Sequence, residues 1–404
     1  MKFKELQISD KLKEGIESFN YSELTEIQEK AIPEIFKSKD LLACSQTGSG
    51  KTAAFLIPII ERILSIKTSG IKALIITPTR EICKQIEEQI VGLGYYTDTS
   101  YVAVYGGNDH DGFSRQKTAL TEGADIVVAT PGRLISHLAL GYVNINNLDF
   151  LILDEADEML DMGFYEDILN IIGKLPKKRQ TLMFSATMPN SIRKLAKEIL
   201  TKPYILDLNF SKPAEEIDQQ IYMVCEKDKP QMLANVLKEH KDDKILVFTS
   251  TKVSVGKISA YLRTVGIKNS SINSSFTQTE RNDTILDFKS GKIRILIATN
   301  LLSRGIDIDD VNLIINYEIP DKAEDYVHRI GRTARAGKLG LAVSFIGEKE
   351  ILNFNRIEKL LEKEIAKLPN PDNIPQGPTY RQINTGKKRY FKNKKSTLIK
   401  KPRK

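Results

Sequence analysis

Short, near-continuous apolar runs recur along the chain at residues 40–44, 73–77, 126–129, 151–153 and 182–184, then at 245–248, 293–298, 313–316 and 342–345. Longer stretches of helical character separate them. A strand covered by helices on both faces reads as a continuous apolar run, whereas one with a solvated face alternates. Two such series, each alternating strand with helix, predict an α/β chain with two parallel sheets. The length of 404 residues exceeds one typical domain, and a hydrophobic content of 41% is enough for two cores. Between the series lies Asn209-Phe210-Ser211-Lys212-Pro213-Ala214, short, polar and interrupted by proline. The expected layout is therefore a first domain over 1–208, a linker over 209–216, a second domain over 217–366 and a tail over 367–404.

The chemistry sits where the first series of strands ends. The run 40–44 leads into Ser45-Gln46-Thr47-Gly48-Ser49-Gly50-Lys51-Thr52, and a helix is expected from Ala53 onward. Strand, glycine-rich turn and helix N-terminus together cradle a nucleotide's phosphates: the glycines let N–H groups turn inward, and Lys51 brings a point charge to the β/γ oxygens. Thr52 is suited to Mg²⁺. The usual pattern begins with glycine where this chain has Ser45. About a hundred residues on, the strand at 150–153 ends in Asp154-Glu155-Ala156-Asp157. Asp154 suits the water shell of Mg²⁺, and Glu155 suits orienting and deprotonating an attacking water. A third strand, at 181–184, runs into Ser185-Ala186-Thr187.

With these pieces in this order the chain resembles the DEAD-box ATP-dependent RNA helicases. The resemblance covers residues 1 to about 360 and includes Pro78-Thr79-Arg80-Glu81, Gly106-Gly107, Thr130-Pro131-Gly132-Arg133 and the run from His328 to Arg335. It implies two tandem RecA-like domains, each a parallel sheet flanked by helices. Upstream it assigns Gln28 to adenine, whose edge an amide matches as both donor and acceptor, so that ATP is favoured over GTP. Tyr21 matches the aromatic near the base and Phe3 the isolated upstream aromatic, while Asn20, Leu24 and Glu26 replace the Gly, Pro and Pro usual there. The second half carries no phosphate-binding loop of its own. A transferring phosphoryl group needs positive charge on its departing side, and the resemblance gives Arg332 and Arg335 that task and Asp307 the ribose. It also gives Asp157, Ser185, Thr187 and His328 the coupling of the two domains. RNA contacts fall on Arg80, Gly107, Thr130 and Arg133 in the first half and Gln278, Arg281 and Thr299 in the second. Asn273-Ser274, Asn300 and Ala334 depart from the residues common at those positions.

Charge sharpens the picture of partners. The net charge is +8, yet residues 379–404 hold eleven Lys or Arg and no acid, so everything before them sums to −3. Such a tail, with Tyr380, Tyr390 and Phe391 interleaved, reads as disordered and as a nonspecific RNA tether. No uninterrupted apolar stretch of about 20 residues is present to span a membrane, and the N-terminal residues lack the apolar core of a secretion signal. Cys44, Cys83 and Cys225 are too few and scattered for a disulfide framework or a zinc site. The expectation is a cytoplasmic, monomeric, RNA-dependent ATPase using ATP and Mg²⁺, with ribosomal or RNA-decay proteins as candidate partners. An ATP-gated RNA clamp and a DNA translocase are the rival readings.

Overall fold

The structure, a computed structural model, describes residues 2–19, 21–45, 48–66, 68–107, 110–208, 217–273, 275–299, 311–333 and 339–381, without the side chains of residues 110, 111 and 278. Among these residues two seven-stranded sheets form, parallel throughout. The first contains β1 (Leu41–Cys44), β2 (Ala73–Ile76), β3 (Tyr101–Val104), β4 (Ile126–Ala129), β5 (Phe150–Leu153), β6 (Gln180–Ser185) and β7 (Tyr204–Asp207), in the order β3-β4-β2-β5-β6-β1-β7. The second contains β8 (Ile217–Met223), β9 (Ile245–Thr249), β10 (Ser270–Ile272), β11 (Ile295–Thr299), β12 (Leu313–Asn316), β13 (Gly340–Ile346) and β14 (Lys367–Leu368), in the order β10-β11-β9-β12-β13-β8-β14. Subtracting seven from each label reproduces the first order, so the two domains share one topology.

Every residue of β1, β2, β4, β5 and β6 is buried. Alternate side chains point to opposite faces, and the core divides accordingly. Leu41, Ala43, Ala73, Ile75, Phe150, Ile152, Leu182 and Phe184 pack on one face, where Phe55 meets Phe184 at 5.2 Å between ring centroids. Leu42, Leu74, Ile76, Leu151, Leu153 and Met183 pack on the other. The strands that the apolar pattern does not reveal are β3, β7, β8, β10 and β14. Most are edge or short strands with partly exposed positions, such as Tyr101, Tyr204 and Ile205, so no continuous apolar run marks them.

Strand order decides which loops become neighbours. Cys44 is in register with Ser185 and Leu153 with Met183, so β5, β6 and β1 end side by side. The ends of β3, β4 and β2 adjoin one another on the other half of the same edge. In open parallel sheets this carboxyl edge is where ligands bind.

One boundary needs correcting. The second domain does not stop at 366: β14 pairs with β8, Ile374 is buried in the core, and Asn370 Nδ2 donates to the carbonyls of Met223 (2.9 Å) and Pro375 (2.8 Å). At Gly377 a Cβ would lie 2.0 Å from the Met223 carbonyl oxygen, so the strap passes too close to β8 for any other residue. Residues 367–381 read as tail because they are polar and short of apolar runs, yet Lys367 Nζ pairs with Glu358 Oε1 at 2.6 Å and Tyr380, expected in a disordered tail, packs on Phe354 at 5.7 Å between ring centroids. The linker 209–216 and residues 382–404 lie outside the described residues. No described helix is long and apolar enough to cross a membrane.

Candidate functional site

The glycine-rich loop follows β1. Gly48 and Gly50 adopt φ of 80° and 91°, a region that suits glycine, and a Cβ on Gly50 would lie 2.4 Å from Gln28 Nε2. Lys51 opens the helix Lys51–Ser65, two residues earlier than the apolar pattern suggests. It is only 7% exposed, and its Nζ donates to the Ser45 carbonyl at 2.8 Å. The Ser45 and Ser49 hydroxyls are 2.8 Å apart, and Thr52 stands half-buried in the first helical turn. Gln46 and Thr47 lie outside the described residues.

Gln28 is tied into this loop, a link that the sequence does not display. Thr25 caps the helix Glu26–Phe36; its N–H donates to Gln28 Oε1 (2.9 Å), while Gln28 Nε2 donates to the Gly50 carbonyl (3.1 Å). A primary amide has two N–H donors and two acceptor lone pairs. Among the described residues one of each remains, the complement of an adenine edge. Tyr21 stacks on Phe3 and Phe19 at 5.6 and 5.4 Å; Phe3 itself is buried in the core.

The acidic cluster sits at the ends of β5 and β6. Asp154 is 4% exposed, and its Oδ1 accepts the Glu155 N–H at 3.0 Å; burial pushes its pKa up against the pull of Lys51. Glu155 is a non-glycine residue held at φ 51°, ψ 51°, a strained conformation of the sort concentrated at functional sites. Its pKa is raised to about 7, by burial first and by Asp154 second, with Lys51 and Arg332 opposing. The charge of a second-domain arginine is therefore felt at a first-domain carboxylate.

Asp157 ties the helix Ala156–Asp161 to the segment that follows β6. Its carboxylate accepts from Thr187 Oγ1 (2.7 Å), Thr187 N–H (2.9 Å) and Ala186 N–H (3.4 Å), and Ser185 Oγ donates to the Thr187 carbonyl at 2.6 Å. Burial opposes ionisation of Asp157, but His328, the Thr187 hydroxyl, Lys51 and the Ala186 N–H outweigh it and hold its pKa below the usual range. Burial lowers the pKa of His328 against the pull of Asp157 and Asp325. Asp157 and His328, from different domains, thus act on each other's ionisation.

His328 lies in the helix Ala323–Ile330, which follows β12. Arg329, a residue the sequence reading leaves without a role, locks this helix to its sheet: Nη1 donates to Asn316 Oδ1 (3.1 Å) and the Glu318 carbonyl (2.7 Å), and the guanidinium stacks on Phe248 at 5.1 Å. That anchor fixes where His328 and Arg332 emerge. Arg335 and Asp307 lie outside the described residues, as do Ser274, Asn300 and Ala334.

The remaining assigned residues occupy the neighbouring half of each carboxyl edge. Arg80 opens the helix Arg80–Leu93, which Thr79 caps by accepting the Ile82 N–H at 3.4 Å; the Arg80 guanidinium stacks on Tyr105 at 4.7 Å. A Cβ on Gly107 would approach Arg80 Nη1 to 2.9 Å. Thr130 is the N-cap residue of the helix Pro131–Ala139, and Arg133 from that helix donates through Nε to the Tyr105 carbonyl (3.1 Å) and through Nη2 to the Gly107 carbonyl (3.4 Å). In the second domain Thr299 closes β11, and Arg281 rides on the helix Gln278–Lys289, whose start is fixed by the reciprocal Thr277–Glu280 cap. Tyr105, which joins Arg80 to Arg133, is a further residue that the sequence reading leaves without a role; its one sequence signal is its place before Gly106-Gly107.

Comparison with known proteins bears on the same residues. Residues 25–195 match the DEAD/DEAH box helicase family and residues 228–337 the helicase conserved C-terminal domain. The chain is 38% identical to the DEAD-box ATP-dependent RNA helicase CshA of Geobacillus kaustophilus, over 91% of this chain and 78% of that protein. It is also 38% identical to the ATP-dependent RNA helicase DbpA of Bacillus subtilis, over 91% and 76%. Among solved structures, Saccharomyces cerevisiae Dbp5 bound to RNA and ADP BeF3 superposes with a TM-score of 0.81 at 28% identity, covering 91% of this chain and 95% of that one. Mss116p bound to single-stranded RNA and AMP-PNP gives 0.79 at 30% identity, covering 89% and 77%.

Proposed function

The chain belongs to the DEAD-box ATP-dependent RNA helicases, with two tandem RecA-like domains, and from that premise we infer how its own residues divide the work. It hydrolyses ATP to ADP and phosphate and couples the cycle to local separation of RNA strands or remodelling of RNA–protein complexes. What supports the residue assignments is convergence: Lys51, Asp154, Glu155 and Asp157 of the first domain meet the electrostatic influence of His328 and Arg332 of the second.

In this reading Gln28 and Tyr21 select the adenine, and the loop from Ser45 through Gln46, Thr47, Gly48, Ser49 and Gly50 wraps the phosphates. Lys51 binds the β/γ oxygens, which frees it from the Ser45 carbonyl. Asp154 and Thr52 offer hard oxygen donors of the kind Mg²⁺ accepts, and an ion that keeps most of its waters needs few protein ligands. Mg²⁺, when bound, neutralises charge on the β- and γ-phosphates. Glu155 orients a water and takes its proton as the oxygen bonds to the γ-phosphorus and the bond to ADP breaks. Arg332 and Arg335 face the charge that spreads over the transferring group, and Asp307 holds the ribose. Because these arginines belong to the second domain, hydrolysis waits for closure.

RNA lies along the other half of the edge, on Arg80, Gly107, Thr130 and Arg133 and, across the cleft, on Gln278, Arg281 and Thr299. Such groups hold phosphates and 2′-hydroxyls rather than base edges, so recognition is independent of sequence. Asp157, Thr187, Ser185 and His328 relay closure between the halves. We further assign the protein to the cytoplasm as a monomer, with its basic tail as an RNA tether and ribosomal or RNA-decay proteins as partners. Steady-state ATP hydrolysis with RNA, with matched DNA and with neither tests the core of this reading. Stimulation by RNA alone is expected; hydrolysis indifferent to RNA would refute it.

A further inference from the structure

We propose that Gln116 and His137 are positioning residues for RNA binding, holding Tyr105 and Arg133 in place through a one-directional chain of hydrogen bonds that runs from Tyr142. The proposal rests on the reading that Arg133 and Gly107 hold RNA.

The direction of each bond follows from the groups at its ends. Gln116, buried on the helix His110–Glu122, has its amide nitrogen 3.1 Å from the Tyr105 carbonyl, which can only accept. Its Oε1 must then face the other way, toward His137 Nε2 at 3.0 Å. An oxygen there requires that Nε2 carry the proton. The opposite ring nitrogen, Nδ1, is left to accept, and it pairs with the Tyr142 hydroxyl. Donation thus passes from Tyr142 to His137, to Gln116 and to the Tyr105 carbonyl. The Gln116 oxygen can only accept, whereas the Tyr142 hydroxyl can take either role, so a neutral imidazole here has this single tautomer. Burial acts in the same sense, pushing the pKa of His137 down to about 4, with Arg133 adding to the effect.

The Tyr105 carbonyl also accepts from Arg133 Nε, so both of its lone pairs are committed. Arg133 is held on a second side by aromatic stacking. Phe113 lies parallel to the His137 ring at 4.3 Å, and the Arg133 guanidinium sits over Phe113 at 5.1 Å. Among the described residues its bonds to Tyr105 and Gly107 take two of the five guanidinium N–H groups and leave the others for a phosphate. Tyr105 carries Arg80 on its ring. A shift of this one residue therefore displaces both arginines and the Gly106-Gly107 turn together, while the phosphate loop on the other half of the edge is untouched.

The test uses the full chain and reads kcat, the KM for single-stranded RNA, ADP affinity without RNA, and thermal stability. Arg133→Ala checks the underlying reading and should raise the RNA KM. Gln116→Met removes both of its bonds and His137→Phe keeps the stack but removes the donor. Each should raise the RNA KM by roughly five- to tenfold, the loss of about one buried hydrogen bond, with kcat and ADP affinity unchanged. His137→Gln, which restores an N–H donor toward Gln116, should return the KM to within about twofold of the parent. Should Gln116→Met fail to fold, Gln116→Glu retains the shape and the acceptor but cannot donate to Tyr105, and must raise the RNA KM. If Arg133→Ala raises that KM while folded Gln116 and His137 variants leave it unmoved, the positioning role is overturned and the RNA reading stands. If Arg133→Ala has no effect, the RNA reading itself fails.

Discussion

Lys322 Nζ lies 2.5 Å from Asp161 Oδ1, an ion pair that joins the two domains across their cleft. Asp161 ends the helix Ala156–Asp161, which starts directly after Asp154 and Glu155, and Lys322 immediately precedes the helix that carries His328. The pair forms only when the domains are together, so it favours the closed state. Both side chains are partly exposed, and such a contact is worth at most about 1 kcal/mol and is screened by salt. Asp161→Lys should weaken RNA binding in the presence of a nonhydrolysable ATP analogue by roughly two- to fivefold. The exchange Asp161→Lys with Lys322→Asp should restore it at low salt, as read by fluorescence anisotropy. No recovery in the exchanged pair would show that the two residues act separately.

Glu155 is the assigned base, and its neutral isostere separates binding from chemistry. Glu155→Gln should lower ATP turnover by about a hundredfold or more while RNA and ATP still bind together. Single-turnover hydrolysis and filter binding measure the two halves, and an unchanged rate would remove Glu155 from the mechanism.

Gly50 is constrained twice, by φ of 91° and by Gln28 Nε2 at 2.4 Å from any Cβ. Gly50→Ala should therefore strain the loop and push Gln28 off its carbonyl, lowering ATP affinity by about tenfold while leaving RNA binding without nucleotide intact. Titration with a fluorescent ATP analogue checks this.

His137 makes stability depend on pH. Its folded pKa is about 4, below the ordinary value of 6.5, so between these values the unfolded chain binds the proton more tightly. Its contribution is full above pH 6.5 and is lost as pH falls toward 4. In thermal scans of the full chain the first-domain transition should drop over that interval, and His137→Gln should flatten this part of the profile.

The strap over residues 367–381 gives a clean truncation experiment. Ending the chain after Arg381 should leave the second domain's melting temperature unchanged. Ending it after Ala366 removes β14, buried Ile374 and the Asn370 bonds to β8 and should lower it by several degrees. Equal melting temperatures would show that the strap adds nothing to the fold.

The sequence by itself determined the two parallel α/β domains, the glycine-rich loop and the acidic pair, because each is written in contiguous residues. A buried strand is a local apolar run, and Gly48, Gly50 and Lys51 act through a turn of their own backbone. It gave less at the edges: β3, β7 and β10 lack the continuous run, and the strap 367–381 looked like tail. Only the tertiary structure decided that Gln28 grips Gly50, that Arg80 and Arg133 share Tyr105, that His137 feeds Gln116, and that Lys322 meets Asp161. These partners lie far apart in the chain, and their meeting depends on the strand order β3-β4-β2-β5-β6-β1-β7 and on closure of the second domain. Local periodicity encodes which residues are buried, whereas adjacency of strand ends is settled by global packing, and there the two halves of the carboxyl edge are made.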